Sequence, residues 1–162
     1  MTSWSEDKRL AYIAGLFDGE GSVMLITNKP KSGYSHRTYY PSLSLANSHF
    51  DVLNMVMDTL KVGSISNKSG NVNYRVKNWQ CFGATNIILV AHKLIPYTII
   101  KKEELELLFA YCHKQASISA KARAFSRHDR EKYKYYMSLY EETAQETLVK
   151  IKESREGCRV RI

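Results

Sequence analysis

The stretch Ile13-Ala14-Gly15-Leu16-Phe17-Asp18-Gly19-Glu20-Gly21 decides the fold, because it begins as an apolar helix and ends as an acidic turn rich in glycine. Within a helix over residues 8–18, four apolar side chains at i, i+3, i+4 and i+7 form a stripe that faces the core: Leu10, Ile13, Ala14 and Phe17. Another face carries only small residues at i, i+4 and i+8: Ala11, Gly15 and Gly19. Small residues at this spacing let two backbones approach closely. A chain this short has few helices to cover that bare face, so a second subunit could cover it.

The end of this helix is a candidate metal site. Gly19 and Gly21 can adopt the left-handed conformations that terminate helices, and Glu20 lies between them. The unpaired carbonyls of a last helical turn carry partial negative charge, so that a carboxylate beside them makes a plausible seat for Mg²⁺. The alternative is that residues 18–21 form only a turn, since acidic turns rich in glycine are common.

The composition indicates one basic domain. We expect a single domain over residues 1–162, with a core over 1–115 and a C-terminal helical region over 116–162, because 44% hydrophobic content is enough for a sizeable core. The formal net charge of +8 and the isoelectric point near 9.4 favour a polyanionic partner, although many basic proteins have none.

Neither a transmembrane run nor a signal-peptide pattern is present, so we expect no membrane partner and no secretion. Cys81, Cys112 and Cys158 are odd in number and far apart, which is typical of free thiols rather than of a zinc site or a disulfide framework. These features predict a reducing intracellular compartment, either a prokaryotic cytoplasm or an organelle matrix.

The pattern of apolar residues predicts an α+β fold. We expect helices over 8–18, 51–60, 85–94, 101–114 and 130–153, strands over 22–28, 38–47, 64–68 and 73–82, and an irregular or weakly helical segment over 116–128. Pro41 suggests that its strand lies at an edge or contains a bulge. The order α-β-β-α-β-β-α predicts one four-stranded antiparallel sheet with helices on one face and extra C-terminal helices.

The other face of that sheet should hold every second strand residue. On this phase the exposed positions are Met24, Ile26, Asn28, Tyr40, Ser42, Ser44, Ser64, Ser66, Lys68, Asn73, Arg75 and Lys77, opposite buried Tyr74 and Val76. Such side chains suit the major groove of DNA, where polar groups meet base edges and apolar atoms meet thymine methyls. Periodicity alone is equally compatible with a solvated sheet face. The loop residues Lys29, Lys31, His36 and Arg37 are candidates for phosphate and flanking contacts.

The segment from Ile13 to Gly21 resembles the motif of the LAGLIDADG homing endonucleases, single-motif homodimeric type. The similarity continues in Ser22-Val23, in Lys61-Val62-Gly63 and in Pro96-Tyr97 followed by Lys101. Glu20 departs from the commoner Asp of the family. The resemblance implies a sheet curved into a saddle over double-stranded DNA, and an intron-encoded enzyme that cuts both strands of a long, roughly palindromic site. It therefore favours DNA recognition by the sheet face.

The resemblance also implies roles for individual residues. Phosphodiester hydrolysis needs an activated water and charge neutralisation at the phosphate, which roughly two or three divalent ions per dimer can supply; we expect Mg²⁺, with Mn²⁺ tolerated. One chain offers one well-placed acid, Glu20, so two chains packed along Ala11, Gly15 and Gly19 would bring two such carboxylates together. The Gly19 carbonyl is a further candidate ligand, and Asp18 could support the helix end or the partner helix at the same interface. Lys101 stands where the family places its active-site lysine.

Two other functions remain open at this point. The same fold could serve an intron maturase that binds RNA, or a DNA-binding regulator that has lost cleavage. Glu20 and Lys101 argue against a loss of cleavage, but they do not exclude RNA as a secondary partner.

Overall fold

Helices and strands alternate in the order that the apolar pattern predicts. The computed structural model describes residues 4–29, 37–67 and 75–159. Within these ranges the elements are α1 (Glu6–Glu20), β1 (Gly21–Asn28), β2 (Thr38–Asn47), α2 (Phe50–Leu60), β3 (Ser64–Asn67), β4 (Lys77–Phe82), α3 (Ala84–Leu94), α4 (Lys102–Phe125) and α5 (Arg130–Arg159).

The four strands form one antiparallel sheet in the order β1-β2-β4-β3. Gly21 pairs with Leu45 at one end of the β1–β2 hairpin, and Asn28 pairs with Thr38 at the other. One sheet face packs against the helices through buried residues that include Val23, Leu25, Leu43, Leu45, Trp79 and Cys81. The predicted α+β class, strand number and one-sided layering are confirmed.

Helix α1 passes into β1 without a left-handed residue. Ser5 caps its start by accepting a hydrogen bond from the Lys8 amide (3.4 Å), and Gly21 follows Glu20 in an extended conformation with φ −73°. The expectation that Gly19 or Gly21 ends the helix in a left-handed conformation is therefore wrong. Gly21 is required for space instead, because a Cβ atom there would lie 2.4 Å from the Phe17 ring.

Pro41 lies in a central strand, not at an edge as its lack of an N–H suggested. Strand β2 runs between β1 and β4, with Pro41 opposite Leu25 of β1. The last β2–β4 pair is Ser42 with Phe82, one residue after Pro41. At Pro41 the strand therefore has a neighbour only on its β1 side, which accommodates the missing donor.

The segment 116–128, expected to be irregular or weakly helical, is helical as far as Phe125. Its helical stripe continues from Leu108 through Cys112 and Gln115 to Ile118 and Ala122, all of them buried. The boundary between residues 115 and 116, drawn from the sequence, falls inside α4.

Helix α5 packs against α4 and is bonded to the edge strand β1 through Arg155. Arg155 donates to the Val23 carbonyl and, at 2.8 Å, to the buried carboxylate of Glu104. No helix in the described ranges is long and apolar enough to cross a membrane.

Candidate active site and nucleic-acid interface

Glu20 is held at the junction between α1 and the sheet. Its side chain is exposed, and its Oε2 atom accepts a hydrogen bond of 3.2 Å from Nδ2 of Asn47 at the end of β2. The other side of the Asn47 amide accepts from the His49 backbone amide at 2.8 Å. That second bond fixes the orientation of the Asn47 amide, so that its N–H groups face the Glu20 carboxylate.

Asp18 connects the last turn of α1 to the segment before α4. Its side chain is 9% exposed, and its two carboxylate oxygens accept from the backbone amides of Ile99 and Lys101, each at 2.9 Å. The sequence predicts that Asp18 supports either the end of α1 or the partner helix at a dimer interface. Both of its carboxylate oxygens accept hydrogen bonds within this chain, which favours support of the helix end.

Lys101 lies at the same helix end as Glu20. Its Nζ atom donates to the main-chain carbonyl of Asp18, two residues before Glu20. The C-terminal end of a helix carries partial negative charge, which stabilises an ammonium group placed there. Nearer the start of α1, the Tyr97 hydroxyl donates to Asp7 at 2.9 Å, and this bond raises the Tyr97 pKa. The segment that carries Lys101 is thus bonded to α1 near both ends of the helix.

The small face of α1 is open in the subunit. Ala11, Gly15 and Gly19 are exposed, and a Cβ atom added at either glycine would meet nothing within 4 Å. Apolar residues flank this face: Tyr12 and Trp4 are 38% and 37% exposed and lie edge to face at 5.6 Å. Glycine in a helix is destabilising relative to alanine, and no neighbour among the described residues requires the absence of a side chain at Gly15 or Gly19.

We call the sheet face turned away from the helices the open face. On β4, the residues that lie on this face are not the ones that the sequence predicts. Trp79 is fully buried and its indole N–H donates to the Val62 carbonyl at 3.1 Å, which directs the odd-numbered residues of β4 toward the helices. Lys77 lies on that same side, with Nζ 4.0 Å from the Phe50 ring centroid. Arg75 is exposed in a turn before β4 begins. The prediction that Lys77 lies on the open face is therefore wrong, and Arg75 lies outside the strand on which it was predicted.

Asn78, Gln80 and Phe82 take the positions that we gave to the basic residues. Gln80 is opposite Ser44 on one side and Ser64 on the other, and Asn78 is opposite Ser66. Across β1 and β2 the predicted face agrees with the pairing register, which places on it Met24, Ile26, Asn28, Tyr40, Ser42 and Ser44. Within the described strands this open face has no charged side chain.

Two of the predicted face residues are shielded by larger neighbours. Ser42 is 0% exposed between Met24 and Phe82, its partners on β1 and β4, and Ser44 is 9% exposed. Tyr40 and Phe82 protrude instead, at 46% and 45% exposure. Shape at the centre of the face is therefore set by Met24, Phe82 and Gln80 more than by the serines.

The predicted flanking contacts are only partly within the described residues. Lys29 follows β1 and is exposed, and Arg37 precedes β2 with its backbone amide bonded to Glu141 at 2.8 Å. Lys31, His36, Lys68 and Asn73 lie outside the described ranges, as does Tyr74.

Several site residues were not found from the sequence. If Trp79 and Cys81 are taken as the buried residues of β4, alternation places Asn78 and Gln80 on the open face. Taking Val76 as buried predicts the opposite alternation. Asn47 contacts Glu20 through tertiary structure alone, and no local pattern indicates it. Ile99 and Ile100 precede Lys101 and are 84% and 60% exposed, which is unusual for isoleucine and was visible only in the structure.

The oxygen donors at the end of α1 fit a hard divalent cation. The Glu20 carboxylate and the carbonyl of Gly19 are oxygen donors at one helix end, and Mg²⁺ takes few carboxylates and keeps several waters. Nowhere in the described ranges do three or more His, Cys, Asp or Glu residues cluster as metal ligands. Burial raises the pKa of Cys81 to about 11 and that of Cys112 to about 12, so both remain neutral thiols and poor ligands.

Residues 13–89 match the family model described as LAGLIDADG endonuclease. This match confirms the resemblance inferred from the motif. No curated protein matches the chain.

Solved structures share the fold at low sequence identity. The homing endonuclease I-CvuI, in complex with the I-CreI target and Mg, is 15% identical, with 94% of this chain and 93% of that chain covered and a TM-score of 0.67. The archaeal intron-encoded homing endonuclease I-Vdi141I, complexed with DNA, is 15% identical over 93% of this chain and 99% of that chain, with a TM-score of 0.64. The I-SmaMI LAGLIDADG homing endonuclease bound to cleaved DNA is 20% identical over 77% of this chain and 41% of that chain, with a TM-score of 0.53.

Proposed function

We propose that this chain is one subunit of a homodimeric, divalent-metal-dependent homing endonuclease that cuts both strands of a specific DNA site. One observation carries the proposal: Asp18 brings Lys101 to the end of α1 that holds Glu20, at the rim of an open sheet face. An acid and a cation are thereby placed together beside a surface suited to a duplex. The similar structures of I-CvuI and I-Vdi141I hold DNA, and that of I-SmaMI holds cleaved DNA, which supports this assignment.

Mg²⁺ would be held by Glu20 of each subunit with the Gly19 carbonyl, and when bound it supplies water activation and charge neutralisation at the scissile phosphate. The ammonium of Lys101 acts as a second positive group there, polarising the attacking water or stabilising the phosphate. Asp18 positions that lysine, because it holds both the Lys101 amide and the helix-end carbonyl that the Lys101 ammonium contacts.

The dimer completes the site. Each subunit contributes one Glu20, so paired carboxylates require two subunits related by a two-fold axis beside α1. Ala11, Gly15 and Gly19 form the centre of the proposed interface, and exposed Ile99 and Ile100 extend its apolar area beside Lys101.

The proposal is tested by cleavage of a duplex that contains the uninterrupted insertion locus of its intron. We expect Mg²⁺-dependent cuts in both strands with short 3′ overhangs, and no cleavage with a chelator or with Ca²⁺. Binding without cleavage in Mg²⁺ or Mn²⁺ would favour the regulator, and tighter binding to the intron RNA than to DNA would favour the maturase.

Replacing Lys101 with Ala should lower the cleavage rate by about 10²-fold or more with little change in DNA affinity, because its ammonium acts on the reacting phosphate or water. Single-turnover cleavage and equilibrium binding in Ca²⁺ separate the two effects. Lys102→Ala is the matched control, since Lys102 is an adjacent exposed lysine at the start of α4. An equal loss of binding and cleavage in Lys101→Ala would make Lys101 a phosphate anchor instead.

Replacing Gln80 with Ala should cost about 1–3 kcal/mol of binding free energy and relax base preference at one or two positions, because Gln can pair with adenine through two hydrogen bonds. Lys77→Ala on the same strand is the control: Lys77 faces the helices, so base preference should not change. Selection from a randomised target library measures both. A change of preference in Lys77→Ala but not in Gln80→Ala would reverse our assignment of the sheet faces.

A further inference from the structure

Half of the net positive charge of this chain lies in the segment that joins its two last helices. Residues 121–134, which we call the hairpin tip, join α4 to α5 and contain six Lys and Arg against two acids, a net charge of +4 out of the total of +8. In contrast, the open face within the described strands is uncharged. A DNA-binding protein draws most of its sequence-independent affinity from cations on phosphates, and this open face cannot supply them.

Hydrogen bonds hold the hairpin tip, and its cations face solvent. The Asp129 carboxylate accepts from the Lys132 amide at 3.0 Å, and this bond lowers the Asp129 pKa; the carboxylate also contacts Lys132 Nζ at 3.4 Å. That pairing neutralises one acid and one lysine. Arg123, Arg127 and Arg130 are exposed on the same tip.

The hairpin tip lies across a groove from one end of the open face of the sheet. A groove of about 640 Å³ separates the start of β2 from the two helices, with Thr38 and Tyr40 on one side and Arg123 and Tyr133 on the other. Tyr40 belongs both to this groove and to the open face. Arg37 lines the groove as well, and Glu141, bonded to the Arg37 amide, is the nearby acid.

This end of the sheet is remote from the cleavage centre. Glu20 adjoins the first residue of β1, whereas Thr38 pairs with the last, Asn28. At about 3.3 Å per residue the two ends are roughly 23 Å apart, which is the length of about seven base pairs at about 3.4 Å each. In a dimer with Glu20 at the axis, the two hairpin tips lie at the outer ends of the target.

We propose that the hairpin tip is a phosphate clamp that holds the DNA backbone at the outer end of each half-site, through Arg123, Arg127 and Arg130. This inference rests on the proposed function, since it assumes that the open face lies on DNA. The clamp provides affinity for DNA that does not depend on the base sequence, while the uncharged open face recognises the bases.

The test compares a clamp variant with a charge-matched control. The clamp variant is Arg123→Gln with Arg127→Gln, and the control is Lys114→Gln with Lys150→Gln, two exposed lysines elsewhere on α4 and α5. Binding to a duplex of arbitrary sequence is measured in Ca²⁺ over a series of salt concentrations. The clamp variant should lose about 1.8 from the slope of log Kobs against log salt concentration, about 0.9 for each lost phosphate contact. The control should keep the wild-type slope.

The possible outcomes distinguish a failure of the clamp proposal from a failure of the proposed function. Equal slopes for the clamp variant and the control, with wild-type protein that still cuts its site, overturn the clamp alone. A loss confined to the specific site would assign these arginines to base recognition and also overturn it. A wild-type protein that binds no duplex would overturn the proposed function as well. If the double variant fails to fold, Arg123→Lys with Arg127→Lys should keep the slope, and ethylation interference on the wild-type complex should map phosphates about seven or more base pairs from the cut.

Discussion

Glu20→Gln should reduce cleavage by at least about 10³-fold, equivalent to about 4 kcal/mol of transition-state stabilisation, while DNA affinity stays near that of the wild type. Glutamine has the shape of glutamate and can still accept the bond that Asn47 donates to Glu20 at 3.2 Å. What it loses is the negative charge that a hard divalent cation requires. Affinity should be preserved because it comes mainly from phosphate and base contacts.

Glu106→Gln is the control for Glu20→Gln, because Glu106 is an exposed acid on α4 that the proposed site does not use. Single-turnover cleavage in Mg²⁺ and Mn²⁺, with binding in Ca²⁺, gives both quantities for each variant. A Glu20→Gln protein that cuts at a rate near that of the wild type would show that the metal-binding acid lies elsewhere in the chain.

Gly15→Leu should raise the dimer dissociation constant by about 10²-fold or more, equivalent to about 3 kcal/mol, and should abolish cleavage of both strands. A leucine at this position extends into open space in one subunit, since a Cβ there meets nothing within 4 Å. The free subunit should be as stable as the wild type, or more so by up to about 1 kcal/mol, because leucine favours a helix over glycine. A loss of function would then come from the second subunit, not from misfolding.

The chain offers a matched control in Gly157, an exposed glycine within α5 whose Cβ position is also open. Gly157→Leu makes the same chemical change on another helix and should leave assembly and cleavage unchanged. Sedimentation at micromolar concentration, with thermal melting for stability, decides the outcome. A wild-type monomer that cuts both strands in one binding event would contradict the dimer, because one subunit offers one Glu20.

The spacing of apolar residues predicted the helices and strands of this fold, but it did not predict correctly which side of every strand is buried. The stripe of Leu10, Ile13 and Phe17 is buried as its spacing requires, and the β1–β2 register places Val23 and Leu43 on the core side. Side chains alternate with a period of two in a strand, so a phase error of one residue exchanges its two faces. The prediction that Val76 is buried shifted the alternation by one residue and so exchanged the two faces of β4.

The hydrogen bonds within the site could not be predicted from local sequence patterns, because they join residues that are far apart in the chain. Asp18 bonds to Lys101, 83 residues later, and Glu20 accepts from Asn47, 27 residues later. The motif indicated Glu20, and the resemblance to a known family indicated Lys101. Neither could show that Asp18 directs its carboxylate toward the lysine segment of its own subunit.

The direct passage from Glu20 into β1 has a consequence for the length of the target. Glu20 is the last residue of α1 and Gly21 is the first of β1, and the Phe17 ring closes the space around Gly21. If Glu20 holds the metal and β1 contacts DNA as proposed, no loop separates the two residues that set their spacing. The protein would then fix the distance from the scissile bond to each recognised base. Substitutions in the target weaken single contacts, but an inserted or deleted base pair would displace every contact beyond it.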